Sequence, residues 1–207
     1  MKEFLVTDAE FGGASNDKKQ TYSILTVGFK IGTFDPKKCT FIEKASLSFA
    51  IKHDAYVVSA EGMKVNGLTL EFLDKTGVTM DNAKAMIHNF LTTNIKSGMV
   101  TPLGHGVKGD ILEYVLQKLV PGIWFGKVYS SYEDTLCLAE SLQTQGIIPS
   151  DVKLNLEDLC SYFGKTDFDF HTCEGDVYAT IFCYCEMQNL LQKLRLLLEK
   201  EKSVSAS

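Results

Sequence analysis

The chain reads as a single α/β domain built on five strands, and three observations predict this. The first fifty residues hold three runs rich in β-branched and aromatic residues, separated by Gly/Pro/Asp turns. Beyond them helical and strand patterns alternate, as they do in α/β folds. The 207 residues are 45% hydrophobic, enough for one sizeable core, and no repeat or low-complexity linker divides them. Residues 1–200 are therefore expected to form one domain, with 201–207, ending in "SVSAS", as a flexible C-terminal tail.

The elements follow in order. "EFLVTDAE" is a strand whose apolar run turns acidic at its end, and "FGGASNDKK" follows as a loop. "TYSILTVGFKIG" and "KCTFIEKASLSFA" are the second and third strands. "LTLEFLDKTGV" suits a short helix. "TMDNAKAMIHNFLTTNIKSG" suits a longer one, capped by Thr79, with Ala83, Met86, Ile87, Phe90 and Leu91 on one face. "MVTPLGHG" is a fourth strand ending in glycines, Asp110 opens the helix "DILEYVLQKLV", and "GKVYSSYEDT" contains a short fifth strand. "EDTLCLAESLQ", "NLEDLCSYFG" and "GDVYATIFCYCEMQNLLQKLRLLLEKEK" supply the last helices, with "LLQKLRLLLEK" as the end of a core helix.

A net charge of -5 argues against a surface built for non-specific duplex binding. The six cysteines form no C-x-x-C pair, and Cys183 and Cys185 stand about 200° apart on a helix, so they cannot share a metal. Reduced, buried thiols in a cytoplasmic protein are expected, not a disulfide framework. "MKEFLVTDAEFGG" is too short and too acidic for a signal peptide, and no apolar run reaches membrane-spanning length, so no membrane partner is expected.

Asp8 and Glu10 stand two apart on the first strand, so both carboxylates face the same way, about 7 Å apart along it. At the end of a buried strand such a pair calls for a cation, and a hard divalent ion with oxygen ligands is suitable. A solvated strand end with two surface acids fits the same pattern. Asp110, in the first turn of a helix, complements its dipole whatever else it does. His105, among glycines, is placed to pack against either backbone or substrate. In "FHTCEGDVYA", His171 and Asp176 would lie about 500° apart within one helix and share no face. They converge if His171 lies in a loop and Asp176 in the first helical turn. His53 sits in a polar loop and His88 on a helix face, and a zinc site at His171 and Cys173 lacks further ligands at suitable spacing.

Taken together, the D-x-E, the middle aspartate and the H-x4-D resemble the DEDDh 3′-to-5′ exonucleases over roughly residues 3–190. "EGMKVNGLT" resembles the loop that usually carries His-Gly-Ile, and "YEDTLCLAESL" the Asp-Thr-Leu segment. "NLEDLCSYFG" resembles the helix before the final motif. The resemblance implies a ribonuclease H-like fold, a mixed five-stranded sheet flanked by helices. It also implies a two-ion Mg²⁺ or Mn²⁺ site held by Asp8, Glu10, Asp110 and Asp176, with His171 as general base. The implied reaction is release of nucleoside monophosphates from single-stranded DNA or RNA 3′ ends. Phe11, Gly12, Asn66 and His105 match positions near the terminal nucleotide, with Phe11 able to stack on the last base. The chain departs from the family there: Phe11-Gly12-Gly13 replaces Thr-Thr-Gly, Gly106 and Gly109 replace Asn and Phe, and Asn66 replaces His. The family includes oligomeric RNA-trimming enzymes and polymerase-bound proofreaders, so a homodimer or a polymerase partner is an expectation of the resemblance alone. The alternative is a catalytically quiet binding or interaction module of the same fold; all five catalytic positions being filled argues against it.

Overall fold

The structure, a computed structural model, describes residues 1–13 and 20–205, with the backbone alone from 201 onward. Most of the loop expected after Phe11 thus lies outside the described residues. Three long strands, β1 (Lys2–Phe11), β2 (Ile24–Asp35) and β3 (Thr40–Lys52), form an antiparallel meander. β5 (Thr101–Gly104) pairs parallel to β1, and β6 (Glu133–Asp134) parallel to β5. The two-residue β4 (Val78–Thr79) pairs parallel to the end of β3, giving the order β4-β3-β2-β1-β5-β6.

The sheet therefore has six strands, where the sequence predicts five. The added β4 is too short to show a period of two, and Gly77 lets the chain lie against β3, since a Cβ there would meet the Lys52 nitrogen at 2.8 Å. The region expected as a fifth strand divides: Val128 makes a single bridge to Val100, and the paired residues are Glu133 and Asp134.

The helices largely follow the pattern. In α3 (Met80–Asn94) the Thr79 hydroxyl accepts from the Asn82 N–H, and Ala83, Ile87, Phe90 and Leu91 are buried while Met86 is partly so. α2 (Leu70–Thr76), α6 (Thr135–Thr144) and α7 (Leu156–Tyr162) are capped by Thr69, Asp134 and Asn155. α4 (Val107–Leu116) begins three residues ahead of Asp110, which still lies in its first turn. Two helices go beyond the prediction: α1 (Ala60–Asn66), where a loop is expected, and the one-turn α5 (Trp124–Lys127). α1 has few apolar residues and is defined by its ends instead, with Ser59 accepting from Gly62 N–H and Gly67 closing it at φ 65°.

α8 (Cys173–Ser205) is longer than the core it packs on. Its fully buried side ends near Met187, Leu191 still packs partly against the core, and Leu196, Leu197 and Leu198 are exposed, so only the beginning of the "LLQKLRLLLEK" segment is the end of a core helix. Its backbone continues past residue 200, and residues 206–207 of the expected tail lie outside the described residues.

β1 is central and buried on both faces, and its alternation decides where the acids point. Leu5 and Ala9 pack with Ile87, Tyr114 and Trp124, while Phe4 and Val6 pack with Val177 and Tyr184 of α8. Each fully buried aliphatic or aromatic side chain here contributes about 1.5–3 kcal/mol. Asp8 and Glu10 continue the Phe4–Val6 series and so face α8. On the opposite face, Thr7 and the Tyr114 hydroxyl of α4 are hydrogen-bonded at 2.9 Å. All six cysteines are free, and among the described residues no helix is long and apolar enough to cross a membrane.

Candidate metal centre

The centre is assembled by a close approach of α8 to the sheet. Asp8 is paired with Gly28 on β2, and Glu10 with Thr26. A Cβ at Gly28 would lie 2.6 Å from the Cys173 carbonyl oxygen, so only glycine lets the first turn of α8 rest on β2. Asp176, in that turn, is thereby brought beside the D-x-E. Asp8, Glu10 and Asp176 each offer a carboxylate oxygen, and these lie within 4.8 Å of one another.

The turn ahead of α8 fixes His171. The Thr172 hydroxyl donates to the Asp169 carbonyl at 2.6 Å and accepts from Gly175 N–H at 3.1 Å. His171 adopts φ 63°, a left-handed conformation uncommon for a side-chain-bearing residue, and its backbone N–H donates to Asp176 Oδ2 at 3.2 Å. His171 in the loop and Asp176 in the first turn do converge, and the link runs through the histidine backbone. The imidazole itself is exposed.

Asp110 stands outside the tight trio, yet after burial its charge is the largest influence on Asp8. The Thr7–Tyr114 hydrogen bond, one turn along α4 from Asp110, ties this helix to β1. Asp134, the aspartate of the Asp-Thr-Leu segment, accepts from Gly106 N–H and Leu136 N–H, each at 2.9 Å, and its charge bears on Asp110. It joins the β5–α4 loop to the start of α6.

Burial and mutual repulsion hold these acids toward their neutral forms. Burial raises Asp8 and Asp110 well above the usual carboxylate range, with neighbouring carboxylates adding to it. Glu10 is pushed up to about 7 by burial and by Asp176. Asp176 is pushed up to about 6 by burial, with His171 pulling in the other direction. A hard cation would relieve this strain, and an all-carboxylate donor set is what Mg²⁺ or Mn²⁺ takes.

Two cavities meet at Glu10 and Asn66. One, of about 690 Å³, has Phe49, Phe72, Phe168, Tyr178, Lys165 and His171 in its walls. The other, of about 810 Å³, is bounded by Phe11, Tyr22, Val65, Asp110, Leu112 and Glu113. Asn66 is a fixed partition: Nδ2 donates to the Phe11 carbonyl at 3.2 Å and Oδ1 accepts from Leu68 N–H at 3.1 Å.

The Gly12 backbone is engaged on both sides, its N–H donating to Ser23 O at 2.9 Å and its carbonyl accepting from Ser59 N–H at 2.6 Å. α1 packs directly on it, since a Cβ at Gly62 would meet the Gly12 oxygen at 2.7 Å. His105 borders neither cavity: Nδ1 lies 3.0 Å from the Thr135 hydroxyl, and burial lowers its pKa. His53 Nε2 lies 2.7 Å from the Ile24 carbonyl oxygen, and His88 is exposed on α3. Phe72, Tyr178 and the Lys165–Phe168 segment come from separate stretches of the chain, so no local spacing marks all of them as neighbours.

No protein-family signature matches this chain, and no curated protein does. Solved structures do. Escherichia coli Exonuclease I in complex with a dT13 oligonucleotide matches with a TM-score of 0.71 and 19% identity, over 96% of this chain and 43% of that one. The zinc-ion-bound Exonuclease I–ssDNA complex matches at 0.68 and 19%, over 100% and 45%. Cell-death related nuclease 4 matches at 0.67 and 11%, over 92% and 64%. The chain spans less than half the length of Exonuclease I. At these identities the likeness is one of fold, and it is the ribonuclease H-like fold of the exonucleases, as the motifs led us to expect.

Proposed function

We propose that the protein is a divalent-metal-dependent 3′-to-5′ exonuclease of the DEDDh kind, releasing nucleoside monophosphates from single-stranded DNA or RNA. One observation carries this reading: three carboxylates within 4.8 Å, with His171 bonded through its backbone to one of them. The neighbours of the same fold include an exonuclease crystallised with single-stranded DNA.

Asp8, Glu10 and Asp176, with Asp110 behind them, would hold two Mg²⁺ or Mn²⁺ ions. When bound, these supply Lewis-acid chemistry, polarising the scissile phosphate and offsetting charge on the leaving 3′-oxygen. His171 takes the proton of the attacking water; its backbone N–H donates to Asp176, and it borders the same cavity as Glu10. Phe11, at the end of β1, stacks on the terminal base. The ions reconcile a chain of net charge -5 with a polyanionic substrate. The free thiols suit a reducing cytoplasm.

The test is digestion of 5′-labelled single-stranded DNA and RNA with Mg²⁺, with Mn²⁺ and with EDTA. We expect a ladder shortening from the 3′ end and mononucleotide product in either metal, and none in EDTA. Oligonucleotide binding without any cleavage in Mn²⁺ would make the protein a quiet module of this fold.

A further inference from the structure

We propose that Lys165 forms a second phosphate-binding position, taking a phosphodiester next to the one being cut. This assignment rests on the exonuclease reading above. Among the described residues that border the two cavities, Lys165 is the one lysine or arginine; the others with charge are acids, including Glu10, Glu61, Asp110, Glu113, Asp167, Asp169 and Glu174. A nucleic acid strand crossing these walls meets repulsion from these acids, and attraction at bound ions and at this ammonium.

The side chain is held in readiness. Gly164, at φ 86°, closes α7, and the Lys165 N–H donates to the Cys160 carbonyl at 2.9 Å, so the backbone is fixed where the side chain departs. Nζ lies 4.5 Å from the centre of the Phe168 ring and 5.7 Å from that of Phe182, both within cation–π range. Its nearest carboxylate oxygen, on the largely exposed Asp167, is 4.0 Å away, beyond hydrogen-bonding distance. The three N–H donors are thus aimed by aromatic rings and left for another acceptor. Glu10 and His171 border the same cavity as Lys165, so one strand can lie on the metal centre and on this ammonium together. Tyr178 and Phe72, both partly exposed in the lining of the same cavity, offer ring surface to a base, the other face of Tyr178 being covered by the Lys30 ammonium at 3.8 Å.

Short substrates separate this position from the scissile one. A dinucleoside monophosphate has only the bond to be cut; a trinucleoside diphosphate has one phosphate more. Lys165→Met keeps the apolar stem on Phe168 and Phe182 and removes the charge. We expect it to raise KM roughly tenfold for the trinucleotide and for longer strands, the effect of losing one charge-assisted hydrogen bond. Its kcat should match wild type, and KM for the dinucleotide should be unchanged. The slope of log KM against log salt for a long strand should fall by about 0.7, the loss of one single-strand phosphate contact. Lys165→Arg should restore both KM and slope. Equal loss on the dinucleotide, or an unchanged salt slope, would overturn the assignment. A wild type that cleaves all three substrates, with Lys165→Met indistinguishable from it, overturns this assignment alone. A wild type that cleaves none overturns the nuclease reading, and this assignment with it.

Discussion

Asp8, Glu10 and Asp176 are acids that their surroundings make hard to ionise, and this has a sign that can be measured. Glu10 at about 7 and Asp176 at about 6 hold protons in the folded protein that the unfolded chain releases near pH 4. Between those limits the folded state binds more protons, so stability falls as pH rises and levels off above the folded pKa values. In EDTA, the melting temperature should therefore drop between about pH 5 and pH 8. Mg²⁺ or Mn²⁺ at pH 8 should raise it again by binding only the folded state, and Asp8→Asn should remove most of that rise. A metal response that survives Asp8→Asn would place the ions elsewhere. His171→Ala should behave differently. It should lower kcat by roughly 10²- to 10⁴-fold, the usual contribution of a general base, while the metal-induced shift persists. Near-normal turnover in that variant would move the base to another group.

At the scale of elements, the centre depends on how closely α8 lies on β2. Gly28 is the contact that sets this distance, because the Cys173 carbonyl occupies the space of its missing Cβ. Gly28→Ala should push the first turn of α8 outward, carrying Asp176 away from the D-x-E. We expect a loss of about 1–3 kcal/mol in chemical unfolding, the usual cost of overpacking. We also expect a smaller metal-induced thermal shift, which a remote destabilising substitution would not produce. The long elements were legible in the sequence because β1 to β3 and α3 repeat their apolar pattern often enough to be read. α1, β4 and α5 were not, being two to seven residues long, whereas β6 lies inside the stretch expected to hold the fifth strand.

Across the whole molecule, two cavities share Glu10 and Asn66 as a common border, and the carboxylate trio stands at that border. α1 and the Phe11–Gly13 segment border one, and the turn before α8 borders the other. On the exonuclease reading, the site takes a strand end and not an internal segment. Digestion should therefore require a free 3′ end, and a circular single strand should survive conditions that degrade its linear form. Cutting of the circle at a comparable rate would exclude the exonuclease reading.

The sequence by itself determined the class of fold, the course of the long elements and the five residues proposed for catalysis. Those residues are readable because each sits at a local landmark, a strand end or a first helical turn, and their types and order are distinctive. The tertiary structure decided which of them meet. It brought Asp8, Glu10 and Asp176 within 4.8 Å and left Asp110 outside that trio. It turned His105 toward Thr135 and away from both cavities. It also placed Lys165, Phe168 and Tyr178 around one cavity with Glu10. These outcomes depend on separations set by packing between residues up to 168 positions apart, Asp8 and Asp176 being the extreme. A one-dimensional pattern reports the face on which a side chain lies, but the distance across that face is set by what packs against it, here a glycine on β2 beneath the first turn of α8.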